Sequence, residues 1–250
     1  MISRRSIVFG LVTYPILLAA SETQRDKDEP FAEVAYPDFG AISAPEKFGL
    51  NPPTEEQRAK AQLMINNAPV GPHPIDVAQS FIDRYSSDPK SISQWPKPEP
   101  WNPLIAEFFN ATSEPANNDM IPWCAAFANW CLERANHIGS KSPSSQSFLS
   151  SSYFKQTQNG ERGDLAIFTC YDRTNQQKSL PVGHVAFLKD KLANDSIRVI
   201  GGNQRSAEGT YFSIICEKTY PTKTGFRIDR TINGRRVSCI LRFNTYIKLA

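Results

Sequence analysis

The stretch NDMIPWCAAFANWCLERAN, residues 118–136, carries the clearest signal of fold and chemistry in this sequence. Its apolar residues recur at helical spacing from Cys124 onward, which predicts a helix with this cysteine in the first turn. The positive end of the helix dipole favours the thiolate form there. The pattern therefore leaves three roles open for Cys124: a nucleophile, a buried core thiol or one half of a disulfide.

The composition is that of an ordinary globular protein. Of its 250 residues, 40% are hydrophobic and 21% charged, which excludes a disordered or fibrous chain. A chain of this length can bury one core, or a core plus an arm. Five cysteines leave an odd thiol, and if that thiol is Cys124 the others could form up to two disulfides. No Cys or His spacing is typical of a metal site, so we expect neither a metal nor a cofactor.

The N-terminus has the layout of a secretory signal. Arg4 and Arg5 precede an apolar run over residues 7–18, which is too short to span a bilayer comfortably, and small residues follow it. We therefore expect an exported protein, periplasmic or extracellular, with no stable membrane insertion after cleavage. An uncleaved interfacial anchor or a buried N-terminal helix is the alternative.

Changes in composition divide the chain into four predicted segments. Residues 1–20 form the signal, and residues 21–74 a Pro-rich arm with one helix. Residues 75–217 form the main domain, and residues 218–250 a C-terminal hairpin extension that is basic. Those basic residues could contact an anionic polymer, but we interpret them as a solvated face and expect no nucleic-acid partner.

The hydrophobic period changes along the chain from helical to alternating. The first predicted helix, TEEQRAKAQLMINNA, begins with a capping box formed by Thr54 and Gln57. From Gly163 onward the alternation predicts four strands and then a hairpin with an Asn-Gly turn at 233–234. Helices first and strands afterwards predict an α+β fold with an antiparallel sheet.

Two of these strands carry polar residues that could act with the cysteine. His184 follows a glycine at the start of one strand, and a helix end plus an imidazolium partner would lower the pKa of Cys124 further. The next strand ends in Asn203, which could orient the imidazole if the two strands are neighbours. The Cys124 backbone N–H and the Asn118 side chain are our candidates for stabilising an oxyanion.

Four motifs in order, PWCAAFANWCLERA, RGDLAIF, GHVAF and RVIGGNQ, resemble the CHAP and NlpC branches of the papain-like cell-wall hydrolases. The resemblance implies a papain-like fold, with Cys124 as nucleophile, His184 as general base and acid, and Asn203 as orienter. Family members often carry a glutamate two residues before that asparagine, where this chain has Gly201. Gln204 is therefore the competing orienter.

The resemblance implies an enzyme that cleaves an amide bond of peptidoglycan, with the stem peptides as its partner. A papain-like module that binds wall peptides or a protein without turnover is the main alternative. An antibacterial toxin with the same chemistry, and with an immunity or regulatory protein as an additional partner, is a third possibility. The motifs do not select which amide bond is cut.

Overall fold

A computed structural model describes residues 51–95, 99–116, 118–207, 213–232 and 235–249. The predicted signal and residues 21–50 of the predicted arm lie outside these ranges. The helices of the described ranges are α1 (Glu55–Asn67), α2 (Pro74–Arg84), α3 (Pro103–Phe108), α4 (Cys124–Arg134) and α5 (Ser147–Ser150), with two short 3-10 helices, Pro89–Ile92 and Phe109–Ala111. Across the described ranges, no helix has the length and apolar character needed to cross a bilayer.

The helix boundaries follow the local sequence signals. The capping box before α1 is confirmed: the Thr54 hydroxyl accepts from the Gln57 backbone N–H, and the Gln57 side chain accepts from the Thr54 backbone N–H. Pro74 begins α2 at a position where a missing N–H costs nothing. Ala61 and Met64 of α1 are buried in the main core, so the helix of the predicted arm packs onto the domain.

Within the described residues, seven antiparallel strands form one sheet, which confirms the α+β fold class. They are β1 (Lys155–Thr157), β2 (Leu165–Asp172), β3 (Ser179–Leu192), β4 (Ser196–Gln204), β5 (Ile214–Pro221), β6 (Gly225–Ile232) and β7 (Arg235–Lys248). Their spatial order is β1-β7-β2-β3-β4-β5, and β6 pairs with β7. The turn predicted at 233–234 lies outside the described residues, although Ile232 and Arg235 on either side of it are paired.

The C-terminal segment 218–250, which we expected to be an extension, contributes β7, an interior strand of the sheet. Strand β7 pairs with β6 over residues 235–242 and with β1 over residues 246–248, and it pairs with β2 over residues 239–247. Without β7, the long edge of β2 would have no hydrogen-bonding partner on that side. The sheet is therefore complete only with these C-terminal residues.

The sheet has a helix-facing side and an opposite side, each with its own hydrophobic cluster. Val185 and Phe187 of β3 belong to the cluster shared with α4, which packs on β3 and β4. Ala186 alternates to the opposite side, where Phe168 and Tyr220 are buried. Neighbouring residues of β3 therefore contact different cores.

A β-bulge ends β4 close to α4. Gly201 pairs with Cys216, whereas Gln204 pairs with Ile214, so β4 carries one extra residue between these pairs. Asn203 within the bulge has a φ of 57°, a left-handed conformation that asparagine tolerates better than most residues.

Gly202, in the same bulge, permits the close packing of β4 on the residue before α4. A Cβ added at this glycine would lie 2.2 Å from Cζ3 of Trp123 and 3.1 Å from Cβ of Phe127. The first of these distances is far shorter than a carbon–carbon contact allows. The glycine therefore lets the Trp123 ring lie directly on the strand.

Candidate active site

Cys124 is the first residue of α4, as its sequence pattern predicted. The residue is 3% exposed, and its Sγ accepts hydrogen bonds from the backbone N–H groups of Val185 and Ala125. Val185 directly follows His184 on β3, so the hydrogen bond to its N–H holds the thiol against the peptide that carries the predicted base. The structure thus brings these two segments together through the backbone beside His184. The alternation of β3 places the His184 side chain with Phe168 and Tyr220, on the side of the sheet opposite α4.

His184 lies on β3 opposite Phe168 of β2 and is 1% exposed. Its ring centroid is 6.1 Å from that of Phe168 and 6.5 Å from that of Tyr220. The side chain of Gln204 hydrogen-bonds to the imidazole. The histidine is therefore enclosed by rings and has a neutral amide as a polar contact.

Of the two orienters that the sequence left open, Gln204 is the one that contacts the imidazole. The Asn203 side chain is used elsewhere: its Oδ1 accepts a hydrogen bond of 2.8 Å from the Ser213 hydroxyl. That hydroxyl in turn accepts from the indole N–H of Trp123, also at 2.8 Å. Asn203 therefore links the bulge of β4 to the residue before Cys124, which is a structural contact beside the site.

Burial keeps both members of the cysteine–histidine pair neutral at rest. Desolvation raises the pKa of Cys124 above its usual value, although the Val185 N–H, the Ala125 N–H and the charge of Arg230 oppose this. Desolvation also lowers the pKa of His184 from 6.5 to about 3, helped by the charge of Arg230 and opposed by the bond to Gln204. Loss of water at this closed site thus opposes the thiolate that the helix dipole was expected to favour.

Arg230 is a charged residue of this site that the sequence did not reveal. On β6 it shares a strand face with Phe226 and Ile228, which pack into the hydrophobic cluster on the side opposite the helices. Its positive charge acts on both Cys124 and His184. The alternation of β6 was a usable signal, but the strand was expected to lie outside the domain.

The predicted oxyanion residue, Asn118, is fully buried in the turn that leads to α4. Its Oδ1 accepts a hydrogen bond of 2.9 Å from the Met120 backbone N–H. The neighbouring Asp119 accepts from the Asn102 backbone N–H at 2.8 Å through Oδ2. The role of Asn118 toward an oxyanion stays a prediction, and residue 117 lies outside the described ranges.

The remaining cysteines do not form a metal site or a disulfide. All five cysteines lie within the described ranges and are present as thiols, and Cys170 hydrogen-bonds to Cys239 on the side of the sheet that also carries His184. In the part of the chain that the structure describes, no three His, Cys, Asp or Glu side chains are grouped closely enough to hold a metal ion.

Residues 116–203 match the family model of the CHAP domain. CHAP domains are generally hydrolases that act on peptidoglycan. No curated protein and no solved structure matches the chain significantly. Cys124, His184 and Asn203 lie within the matched residues, whereas Gln204 and Arg230 lie beyond them.

Proposed function

We propose that this chain, which over residues 116–203 belongs to the CHAP domain family, hydrolyses an amide bond of peptidoglycan as an amidase or endopeptidase. The observation that carries the proposal is the hydrogen bond from the Val185 backbone N–H to Sγ of Cys124, because it joins the two motifs at the residue next to His184. An exported location and a stem-peptide substrate belong to the same proposal.

The first half of the reaction begins from a neutral thiol and a neutral imidazole. The step requires the His184 imidazole to come within hydrogen-bond reach of Sγ of Cys124. As the substrate carbonyl approaches, the Cys124 proton then passes to His184 and the sulfur attacks the carbonyl carbon. The negative charge moves from sulfur to the carbonyl oxygen, where the Cys124 N–H and the Asn118 side chain are the proposed donors. His184 then gives its proton to the leaving amine, the C–N bond breaks, and a thioester remains.

The second half releases the acyl group. His184, again neutral, takes a proton from a water molecule while the water oxygen attacks the thioester carbon. The C–S bond breaks, the proton returns to sulfur, and a carboxylic acid leaves. Gln204 supports both halves, because its bond to the imidazole raises the His184 pKa and so favours the imidazolium that forms in each.

The test is digestion of purified peptidoglycan sacculi, with the soluble products identified by mass spectrometry. The wild-type chain is expected to release fragments with a new amine and a new carboxylate, which identifies the bond cut. Cys124→Ala is expected to release none, whereas Cys131→Ala, buried in the same helix, is the matched control and keeps activity. Equal release by the Cys124→Ala variant contradicts the proposal.

Binding without turnover is the second candidate, and the closed environment of the pair favours it. Cys124 is 3% and His184 1% exposed, so a substrate reaches them only if the covering residues move. A chain that is retained on sacculi and releases no fragments would be a binding module. Alkylation of Cys124 by iodoacetamide, located by mass spectrometry, reports whether the thiol becomes accessible at all.

A further inference from the structure

The amide of Gln204 has a fixed orientation. Its Nε2 donates to the Gly201 carbonyl at 3.2 Å and to the Cys216 carbonyl at 2.6 Å. Because both of these partners are carbonyl acceptors, the amide nitrogen must face them. The amide oxygen Oε1 therefore faces the opposite way, where it can only accept hydrogen bonds from donors. The amide therefore presents its oxygen to the interior of the site.

The place that Gln204 occupies exists because residue 201 is a glycine. A Cβ at Gly201 would lie 2.8 Å from Cβ of Ala186 and 3.5 Å from Cδ of Gln204. The bulge at Asn203 turns Gln204 toward this space, where the residue is fully buried. The space that a side chain at position 201 would fill is thus filled by the amide of Gln204.

Tyr220 is the second donor at this oxygen. Its hydroxyl donates to Oε1 of Gln204 at 3.1 Å, and the residue is fully buried on β5. Its ring packs against Phe168 with centroids 4.9 Å apart. A carbonyl oxygen accepts two hydrogen bonds, so Oε1 can hold the Tyr220 hydroxyl and an imidazole N–H at the same time.

We propose that Tyr220 is a positioning residue for His184 and acts through Gln204. The Tyr220 hydroxyl and the two carbonyls fix all sides of the amide, and the amide fixes the tautomer and orientation of the imidazole. The inference rests on the proposed function for its kinetic readout only. The titratable or charged groups that act on His184, Gln204 or Tyr220 are Cys124, Cys216 and Arg230.

Tyr220→Phe removes only the hydroxyl, and Tyr246→Phe is the matched control, because Tyr246 is also a buried sheet tyrosine. In peptidoglycan digestion, Tyr220→Phe is expected to lower kcat roughly 10-fold and to leave KM unchanged. This loss is at the low end of what the removal of a group that orients a functional histidine usually causes. Without the Tyr220 donor, Oε1 accepts more strongly from the imidazolium, so the acidic limb of the pH–rate profile moves to higher pH. A kcat within about twofold of the control variant and an unmoved limb overturn the proposal.

A second variant and a second readout keep the test independent of folding and of the substrate. Replacing Tyr220 with 3-fluorotyrosine keeps the ring and strengthens the O–H donor, so the acidic limb is expected to move to lower pH. If the wild-type chain releases no fragments, the proposed function fails and the imidazole ¹⁵N resonances of His184 are followed instead. A His184 titration that shifts in Tyr220→Phe but not in Tyr246→Phe supports the inference, and identical titrations overturn it.

Discussion

Replacing Asp119 with asparagine is expected to stabilise the protein at neutral pH and not in acid. Asp119 is fully buried, and its Oδ1 has no hydrogen-bond partner among the described residues. Burial raises the pKa of this carboxyl from 3.8 to about 6, although the Asn102 N–H opposes the shift. The ionised form therefore destabilises the native state, and the uncharged amide of asparagine resembles the protonated form.

The sign and size follow from linkage. Between pH 3.8 and about 6 the folded chain holds the Asp119 proton and the unfolded chain does not, so stability falls as the pH rises through this window. At about 1.4 kcal/mol for each pH unit, the ionised Asp119 lowers the free energy of unfolding by about 3 kcal/mol above pH 6. His184 has the opposite effect: its pKa falls from 6.5 to about 3, so stability is lost as the pH falls through that range.

In the wild-type chain, the pH dependences of stability that Asp119 and His184 cause cancel between pH 3.8 and 6. Asp119→Asn removes the contribution of Asp119. Urea unfolding followed by tryptophan fluorescence from pH 3.5 to 8 is the assay. The variant is expected to gain about 3 kcal/mol at pH 7.5, or roughly 6–12 °C in Tm, and nothing at pH 3.5. A gain of the same size at every pH, or a loss at pH 7.5, would refute the reasoning.

Asp164 provides the control for this experiment, because it is a buried aspartate whose two oxygens are both used. Oδ2 accepts from the Glu161 backbone N–H at 2.8 Å, and Oδ1 accepts from the Leu249 backbone N–H at 3.0 Å. Asp164→Asn leaves one of these donors without an acceptor and is expected to lose about 1–3 kcal/mol at pH 7.5. The two Asp→Asn variants should therefore change stability in opposite directions.

Two further predictions concern the site and the bulge. Arg230→Met removes a positive charge that lowers the pKa of the Cys124 thiol, so iodoacetamide labelling of Cys124 is expected to begin at higher pH; Arg227→Met, exposed on the same strand, should leave the profile unchanged. Gly202→Ala places a methyl group where the neighbouring indole ring leaves no room and is expected to lower the free energy of unfolding by about 1–3 kcal/mol. Gly71→Ala, with open space around it, should stay within about 1 kcal/mol of the wild type in the same urea titration.

Local signals in the sequence predicted the elements well, because each element has a local cause. The capping residues of α1, the helix after Pro122 and the alternating strands from Leu165 onward depend on neighbours in the chain. The position of β7 between β1 and β2 has no such local cause, since pairing partners far apart in sequence are selected by the whole sheet. The C-terminal residues were therefore misjudged as an extension.

The orienter of the histidine shows the same limit at the level of one residue. The motif and its spacing favoured Asn203. A single extra residue in a bulge, however, reverses the face of the sheet to which each following side chain points. Asn203 takes the left-handed conformation, and Gln204 takes the face that Gly201 leaves empty. A register shift of this kind leaves no mark in hydrophobic periodicity.

The neutral resting pair has a consequence for how the proposed reaction would proceed. At a closed site a thiolate and an imidazolium both lack the water that stabilises them, and Gln204 contributes a dipole and no charge. Proton transfer before the substrate arrives would therefore be uphill. Once the carbonyl is in place, the negative charge that forms on the sulfur moves to the carbonyl oxygen. The imidazolium is stabilised during this step because its N–H faces the oxygen of Gln204. The precision of that one contact, which the Tyr220 hydroxyl holds, would then matter more to the rate than any prior activation of the thiol.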